Sequence, residues 1–160
     1  MSITLRQARP ADAEAIYNMI VELAVYEKAP EEVVTHADEI RETLFGDDSK
    51  TEALICEVAG TIAGYAVFFT SYSTWLGRNG IYMEDLYVSP DYRGQGAGKA
   101  LLQHIARLAV QRQCGRLEWS VLDWNQPAID FYLGIGAKPL SEWVRYRLEG
   151  EDLLNFAEKQ

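Results

Sequence analysis

Residues 81–102, IYMEDLYVSPDYRGQGAGKALL, carry three kinds of chain in succession, and the remainder must be arranged around them. Ile81–Val88 is rich in β-branched, aromatic and apolar residues and predicts a strand. Ser89-Pro90-Asp91 stops it, because proline has no N–H for a ladder. Arg93-Gly94-Gln95-Gly96-Ala97-Gly98 is a glycine loop, and Lys99-Ala100-Leu101-Leu102 opens a helix. A strand, a glycine loop and a helix start together make an anion site: backbone N–H groups converge there, and the helix dipole adds partial positive charge. Two phosphate motifs are excluded by spacing. Glycines 94, 96 and 98 read G-x-G-x-G, not the dinucleotide G-x-G-x-x-G, and Gly98-Lys99 is followed by Ala100 where a Walker loop needs Ser or Thr.

The chain has 160 residues, the length of one domain, with an ordinary hydrophobic content of 48%. Its net charge of −9 argues against a nucleic-acid partner and permits a cationic small molecule. No apolar run reaches the length of a membrane span, and MSITLRQARP lacks the apolar segment of a signal peptide. Cys56 and Cys114 are far apart, without metal-ligand spacing. Reduced thiols and a cytoplasmic protein with no membrane partner and no metal are expected.

Along the chain, Ile3–Gln7 alternates as a strand. Pro10–Tyr26 has Ala13, Ile16, Met19, Ile20, Leu23 and Ala24 at helical spacing. Thr35-x-x-Asp38 reads as a capping box opening a helix over Thr35–Phe45. Glu52–Val58 and Thr61–Thr70 form a hairpin about Ala59-Gly60, and Ser71–Gly80 is a loop carrying Tyr72 and Trp75. After the central strand, the helix following the glycine loop extends to about Arg112. Arg116–Leu122 is a further strand, Gln126–Leu133 a short helix capped by Asn125, Val144–Leu148 a late strand and Asp152–Glu158 a terminal helix. Strand, two helices, three strands, helix, strand, helix, strand is an α/β (α+β) order with a mixed sheet.

Arg93-x-x-Gly96-x-Gly98 resembles the pyrophosphate loop of the GNAT acetyltransferase superfamily, Q/R-x-x-G-x-G/A, and the order of elements is similar. The resemblance is nearest to the spermidine/spermine N-acetyltransferase branch, with its relatives acting on thialysine and diamines. Glu22-Leu23-Ala24-x-Tyr26-Glu27, Trp75-Leu76-Gly77, Glu84-Asp85, Asp91-Tyr92-Arg93-Gly94, Trp124-Asn125-x-Pro127 and Phe131-Tyr132 carry it, in order and over nearly the whole chain. It implies one domain over residues 1–160, with a mixed, mostly antiparallel sheet splayed at the cofactor site and flanked by helices. It also implies acetyl-coenzyme A as co-substrate, a small amine as acceptor and a homodimer.

Acetyl transfer to such an amine has a definite requirement. A Lys-like amine has a pKa near 10.4, so removing its proton at pH 7 costs roughly 4–5 kcal/mol. A site must attract the cation and then take its proton, which carboxylates can do directly or through water. Glu84 and Asp85 are neighbours on a strand, and regular alternation would turn them to opposite faces. The resemblance implies that Glu84 is the base and that Asp85, with Tyr26, Glu27 and Trp75, binds the amine. It implies that Tyr132 is the acid that protonates the departing thiolate, while neighbouring Phe131 packs inward. Asn125, Ala128 and Tyr132 fall on the cofactor side. Leu86, Tyr87 and Val88 would meet the pantetheine amides as a strand would. Gly94, Gln95, Gly96, Ala97, Gly98 and Lys99 would surround the pyrophosphate, with Arg93 or Lys99 adding charge. Where polyamine enzymes have Asp-Pro-Trp this chain has Ser73-Thr74-Trp75, which puts long polyamines in doubt. Acetylation of a protein or peptide amine, or an acyl-coenzyme A binding module without chemistry, are the alternatives. His36 and His104 are unremarkable, and His104, on the polar side of a core helix, reads as a surface residue.

Overall fold

The computed structural model describes residues 2–159, which divide into two compact units, one up to residue 122 and one from residue 123. In the first unit, five strands form one open sheet in the order β1 (Ile3–Gln7), β2 (Thr51–Val58), β3 (Thr61–Ser73), β4 (Arg78–Val88) and β5 (Leu117–Trp119). The first three pairings are antiparallel and β4–β5 is parallel, so the sheet is mixed and the fold is α/β. Three helices accompany it: α1 (Ala13–Tyr26), α2 (Ala37–Phe45) and α3 (Ala97–Gln111).

Alternation along the strands sorts the core into two layers. Ile55, Tyr65 and Tyr87 point to one face, where Ala13, Ile16 and Met19 of α1 and Ile40 of α2 meet them. The intervening Leu54, Cys56, Ala66 and Phe68 are equally buried on the other face, which leaves α3, packed along β3 and β4, to cover it with Leu101, Leu102 and Ile105. The connection from β4 through α3 to the parallel β5 is a βαβ unit. It is this connection that sets the glycine loop at the end of the central strand. At the start of α1, Asp12 receives both Arg6 guanidinium nitrogens at 2.8 and 2.9 Å and the Arg9 N–H at 2.7 Å, which hold its carboxyl below the usual range.

Four sequence expectations are corrected. The cap of α2 is His36, whose Nδ1 accepts the Glu39 N–H, while Thr35 donates to the Glu39 side chain. Ser71–Gly80 is mostly ladder: pairing continues to Ser73↔Arg78, and only Thr74–Gly77 is turn, closed by Gly77 N–H on the Ser73 carbonyl and by Gly77 at φ +64°. The strand expected over 116–122 is three residues long, because β4 bulges immediately after its last pair with β5, Met83↔Trp119. Residues 144–148 join no ladder; Val144, Tyr146 and Leu148 alternate but lie exposed, and alternation without a paired neighbour does not make a strand.

The second unit contains α4 (Gln126–Gly134) and α5 (Gly150–Glu158). Pro127 lies in the first turn of α4, and Asn125 stands at its N-cap position without a side-chain cap bond. Phe131 and Tyr132 are both half-buried with ring centroids 5.6 Å apart, so the expected division into a core ring and a site ring is not sharp within this unit.

Candidate active site

The central feature is the bulge. Phe68 pairs with Met83 and Val67 with Asp85, so Glu84 is the extra residue. Before it, Tyr82 shares a face with Phe69, their rings 5.5 Å apart; after it, Asp85 and Tyr87 share that same face with Val67 and Tyr65. The inserted residue therefore brings Glu84 and Asp85 to one face. Opposite faces, expected from regular alternation, would hold only if the pleat were unbroken.

On that face the C-terminal end of α1 supplies Glu22, Tyr26 and Glu27. Tyr65 donates its phenolic hydrogen to Asp85 Oδ2 at 2.9 Å, and Tyr87 donates to Glu22 Oε1 at 2.9 Å. Burial holds the Asp85 carboxyl above the usual range, with Glu84 adding to the rise and the Tyr65 bond opposing it. Burial also raises Glu27, and the Asp85 charge raises it further. Glu27 and Asp85 thus sense each other's charge, and both are half-buried. A cation arriving between such groups is attracted and stabilises their ionised forms.

The same strand edge leads to the glycine loop. Pairing with β5 ends at Met83, so among the described residues Asp85, Leu86, Tyr87 and Val88 have a ladder partner only on the β3 side, and Glu84 stands outside the ladder. The sheet is splayed at this point, and an extended chain of amides fits such an edge. The loop turns through Gly94 at φ +79° and Gly96 at φ +89°, and Gly96 is the N-cap of α3. Gly96, Ala97, Gly98 and Lys99 therefore present the first-turn N–H groups that an α-helix leaves without internal partners, beside exposed Gln95 and Lys99. A Cβ at Gly94 or Gly96 would meet nothing within 4 Å, so these glycines are required by backbone conformation and the approach to them is open.

Arg93 does more than add charge to the loop. Its Nε donates to the Val88 carbonyl at 2.9 Å, and its guanidinium lies 5.5 Å from the Tyr26 ring centre and 5.6 Å from that of Tyr87. It ties the end of α1 to the end of β4. Trp75 is placed elsewhere. It lies in the turn between β3 and β4, and Arg78 to Asp85 is seven residues, about 23 Å along the strand at ~3.3 Å each. This chain's Tyr26, Glu27, Glu84 and Asp85 gather; its Trp75 does not join them. Ser73, in place of the Asp of polyamine enzymes, is buried, and its Oγ accepts the Leu76 N–H at 3.1 Å within the turn. Asn125, Ala128 and Tyr132 lie on or beside α4 in the second unit. His104 is half-buried rather than a surface residue and lines a cleft of about 330 Å³ with Phe68 and Leu108. Among the described residues no three His, Cys, Asp or Glu side chains gather as a metal-binding group, and no helix is long and apolar enough to cross a membrane.

Tyr65 and Glu22 were not singled out by sequence reasoning. Glu22 lies inside the Glu22–Glu27 segment and had a signal there. Tyr65 had none, because its pairing with Asp85 depends on strand register and on the bulge.

The loop separates two glycines in a measurable way. Gly96→Ala places a side chain at φ +89° and is expected to cost about 1–2 kcal/mol of stability. Gly98 is not at positive φ, and an added Cβ would lie 3.8 Å from the nearest Val88 methyl. Gly98→Ala is thus expected to be neutral or to gain up to about 1 kcal/mol. The denaturant midpoint should fall for Gly96→Ala and hold or rise for Gly98→Ala, and equal shifts would contradict the assigned conformations.

A splayed mixed sheet, with a glycine loop ending its central strand and capping the following helix, is an acetyltransferase architecture. The chain belongs to the Acetyltransferase (GNAT) family, whose model matches residues 13–136, and it is an acetyltransferase. It is 38% identical to a thialysine N-epsilon-acetyltransferase from Bos taurus across 98% of both chains, and 37% identical to that from Sus scrofa across 99% of both. Over 58% of this chain and 40% of the relative, it is 44% identical to an L-ornithine N5-acetyltransferase from Arabidopsis thaliana. Among solved structures, an integron cassette protein of V. cholerae superposes with a TM-score of 0.83 at 25% identity over 99% of both chains. An aminoglycoside acetyltransferase from a soil metagenome shares the fold, with a TM-score of 0.75 at 14% identity over 92% of this chain and 97% of the other.

Proposed function

We propose that the enzyme transfers an acetyl group from acetyl-coenzyme A to the primary amine of a small cationic acceptor of diamine or thialysine type, by direct attack of the amine. The observation that carries this reading is the pair Glu84 and Asp85, brought to one face by the bulge where β4 parts from β5, with Glu27 alongside. Asp85, raised by burial with the Glu84 charge adding to it, and Glu27, raised by burial with the Asp85 charge adding to it, favour a cation over a neutral or anionic acceptor. The relatives named for thialysine and L-ornithine acetylation act on amines of this chemistry by their names.

In this reading the first-turn N–H groups of α3 and Lys99 hold the pyrophosphate, and the free edge of β4 at Leu86 and Tyr87 holds the pantetheine amides. Val88 belongs to the same edge, with its carbonyl already receiving Arg93. Acetyl-coenzyme A supplies the activated acetyl group. Asp85 and Glu27 attract the ammonium, and Glu84 takes its proton, directly or through water. Tyr26 bounds the acceptor side. Tyr132 gives a proton to the departing thiolate, and Asn125 and Ala128 serve the cofactor. Trp75 remains a candidate acceptor contact, without support from its place in this chain. The whole chain is read as one acetyltransferase domain acting as a cytoplasmic homodimer.

Thiol release from acetyl-coenzyme A tests the reading. Thialysine, ornithine and short diamines should turn over, and aspartate should not. Higher salt should raise the apparent KM of the cationic acceptors. Acetyl-coenzyme A should also raise the melting temperature, and ATP and NAD should not. Best turnover on an anionic amino acid, or a larger thermal shift with a nucleotide, would overturn the assignment.

A further inference from the structure

We propose that Tyr65 is a positioning residue for the acceptor: its phenol fixes the Asp85 carboxylate so that the second carboxylate oxygen is presented to the incoming ammonium. The inference rests on the amine-acceptor reading above and adds to it a residue that touches neither substrate.

Tyr65 has no exposed surface and sits in the core between α1 and the sheet, directly across from Tyr87, with ring centroids 6.4 Å apart. A phenol sealed in such a place needs an acceptor for its hydrogen. Asp85 Oδ2 accepts it at 2.9 Å, the one side-chain hydrogen bond that Asp85 makes among the described residues. Among the described residues Oδ1 has no hydrogen-bond partner, and it is not a buried orphan, so it faces accessible space. The bond has one direction only: an ionised Asp85 can only accept, and Tyr65 can only satisfy its hydrogen by donating. The carboxylate is thereby held by one oxygen and open at the other, on the face shared with Glu84.

The groups around Asp85 explain why this bond matters. Glu27 approaches from the end of α1, where its N–H donates to the Leu23 carbonyl and the charge of Asp85 adds to the rise that burial gives its carboxyl. Glu84 lies beside Asp85 on β4, and its charge adds to the rise that burial imposes on Asp85. Tyr87 is engaged by Glu22, and the Arg93 guanidinium is held over Tyr26 and Tyr87, so its charge is directed there. Of the groups facing Asp85, Tyr65 is the one whose contact favours the ionised form. Without it, burial and the Glu84 charge act unopposed, and Asp85 holds its proton to higher pH. Since only the ionised carboxylate attracts the ammonium, the acidic limb of the pH profile should move upward.

Tyr65→Phe removes a single oxygen from a position that stays apolar. Its KM for the amine at pH 7 should rise about 10-fold or more, the scale of a hydrogen bond to a charged group. The acidic limb of kcat/KM against pH should shift to higher pH, and KM for acetyl-coenzyme A should stay near the wild-type value. Incorporating 3-fluorotyrosine at position 65 keeps the ring and makes it a stronger donor, so the limb should move to lower pH. This second variant decides the matter if Tyr65→Phe does not fold. Superimposable pH profiles in a wild-type enzyme that acetylates amines would overturn the proposal. If the wild type acetylates no amine, the amine reading fails by itself. Carboxyl NMR titration of Asp85, assigned through Asp85→Asn, then still reads the Tyr65 bond: an unchanged midpoint in Tyr65→Phe overturns it, and an upward shift supports it.

Discussion

Glu84→Gln is expected to lower amine turnover at pH 7 by about 10²–10⁴-fold, the usual contribution of a positioned general base. Glutamine keeps the size and shape of the side chain at the bulge and cannot take a proton from an ammonium. The variant must wait for amine that is already free, so its rate should recover as pH rises toward the amine pKa near 10. Affinity for acetyl-coenzyme A should persist, because Glu84 is not among the residues assigned to the pyrophosphate. Initial rates of thiol release between pH 7 and 10 measure this. A near wild-type rate at pH 7, together with an inactive Asp85→Asn, would transfer the role of base to Asp85.

Tyr132→Phe should cause a loss of similar size with the opposite response to pH. The departing coenzyme A thiolate, whose thiol has a pKa near 8.5, would leave without its proton donor at every pH. Alkaline conditions should therefore not restore this variant. The same rate series distinguishes the two residues: one limb rises and the other stays low. Recovery of Tyr132→Phe parallel to that of Glu84→Gln would remove Tyr132 from the role of acid. Near wild-type rates in both, and in Asp85→Asn, would leave positioning as the source of the rate.

Local chemistry was readable where the chain itself dictates it. Positive φ at Gly94, Gly96 and Gly60 and proline in the first turn of α4 follow from what single residues tolerate, whereas Ala59, at φ +51°, is held there by the hairpin it closes. The helical stripe of α1 was legible because burial of Ala13, Ile16 and Met19 has a 3.6-residue period. What needed the structure depends on pairing. The extension of β3 and β4 through Ser71–Ser73 and Arg78–Gly80 runs through polar residues with no strand signature, and is fixed by a neighbour's register. The absence of a strand over 144–148 is the converse: correct alternation in residues that join no ladder. The bulge at Glu84 lies in the same class, and so does everything built on it. Residues 84 and 85 could be named as candidates from the sequence, but their shared face and the Tyr65 contact could not.

The bulge also sets a limit on portability. In a regular strand, two side chains on one face are two residues apart, separated by about 6–7 Å along the chain, and adjacent side chains are separated by the sheet itself. Glu84-Asp85 escapes both limits because one residue stands outside the pleat. The dipeptide is thus not a transferable module. Grafted into an unbroken strand of another sheet, it would divide into one carboxylate per face; what would have to be grafted is the offset between Val67↔Asp85 and Phe68↔Met83.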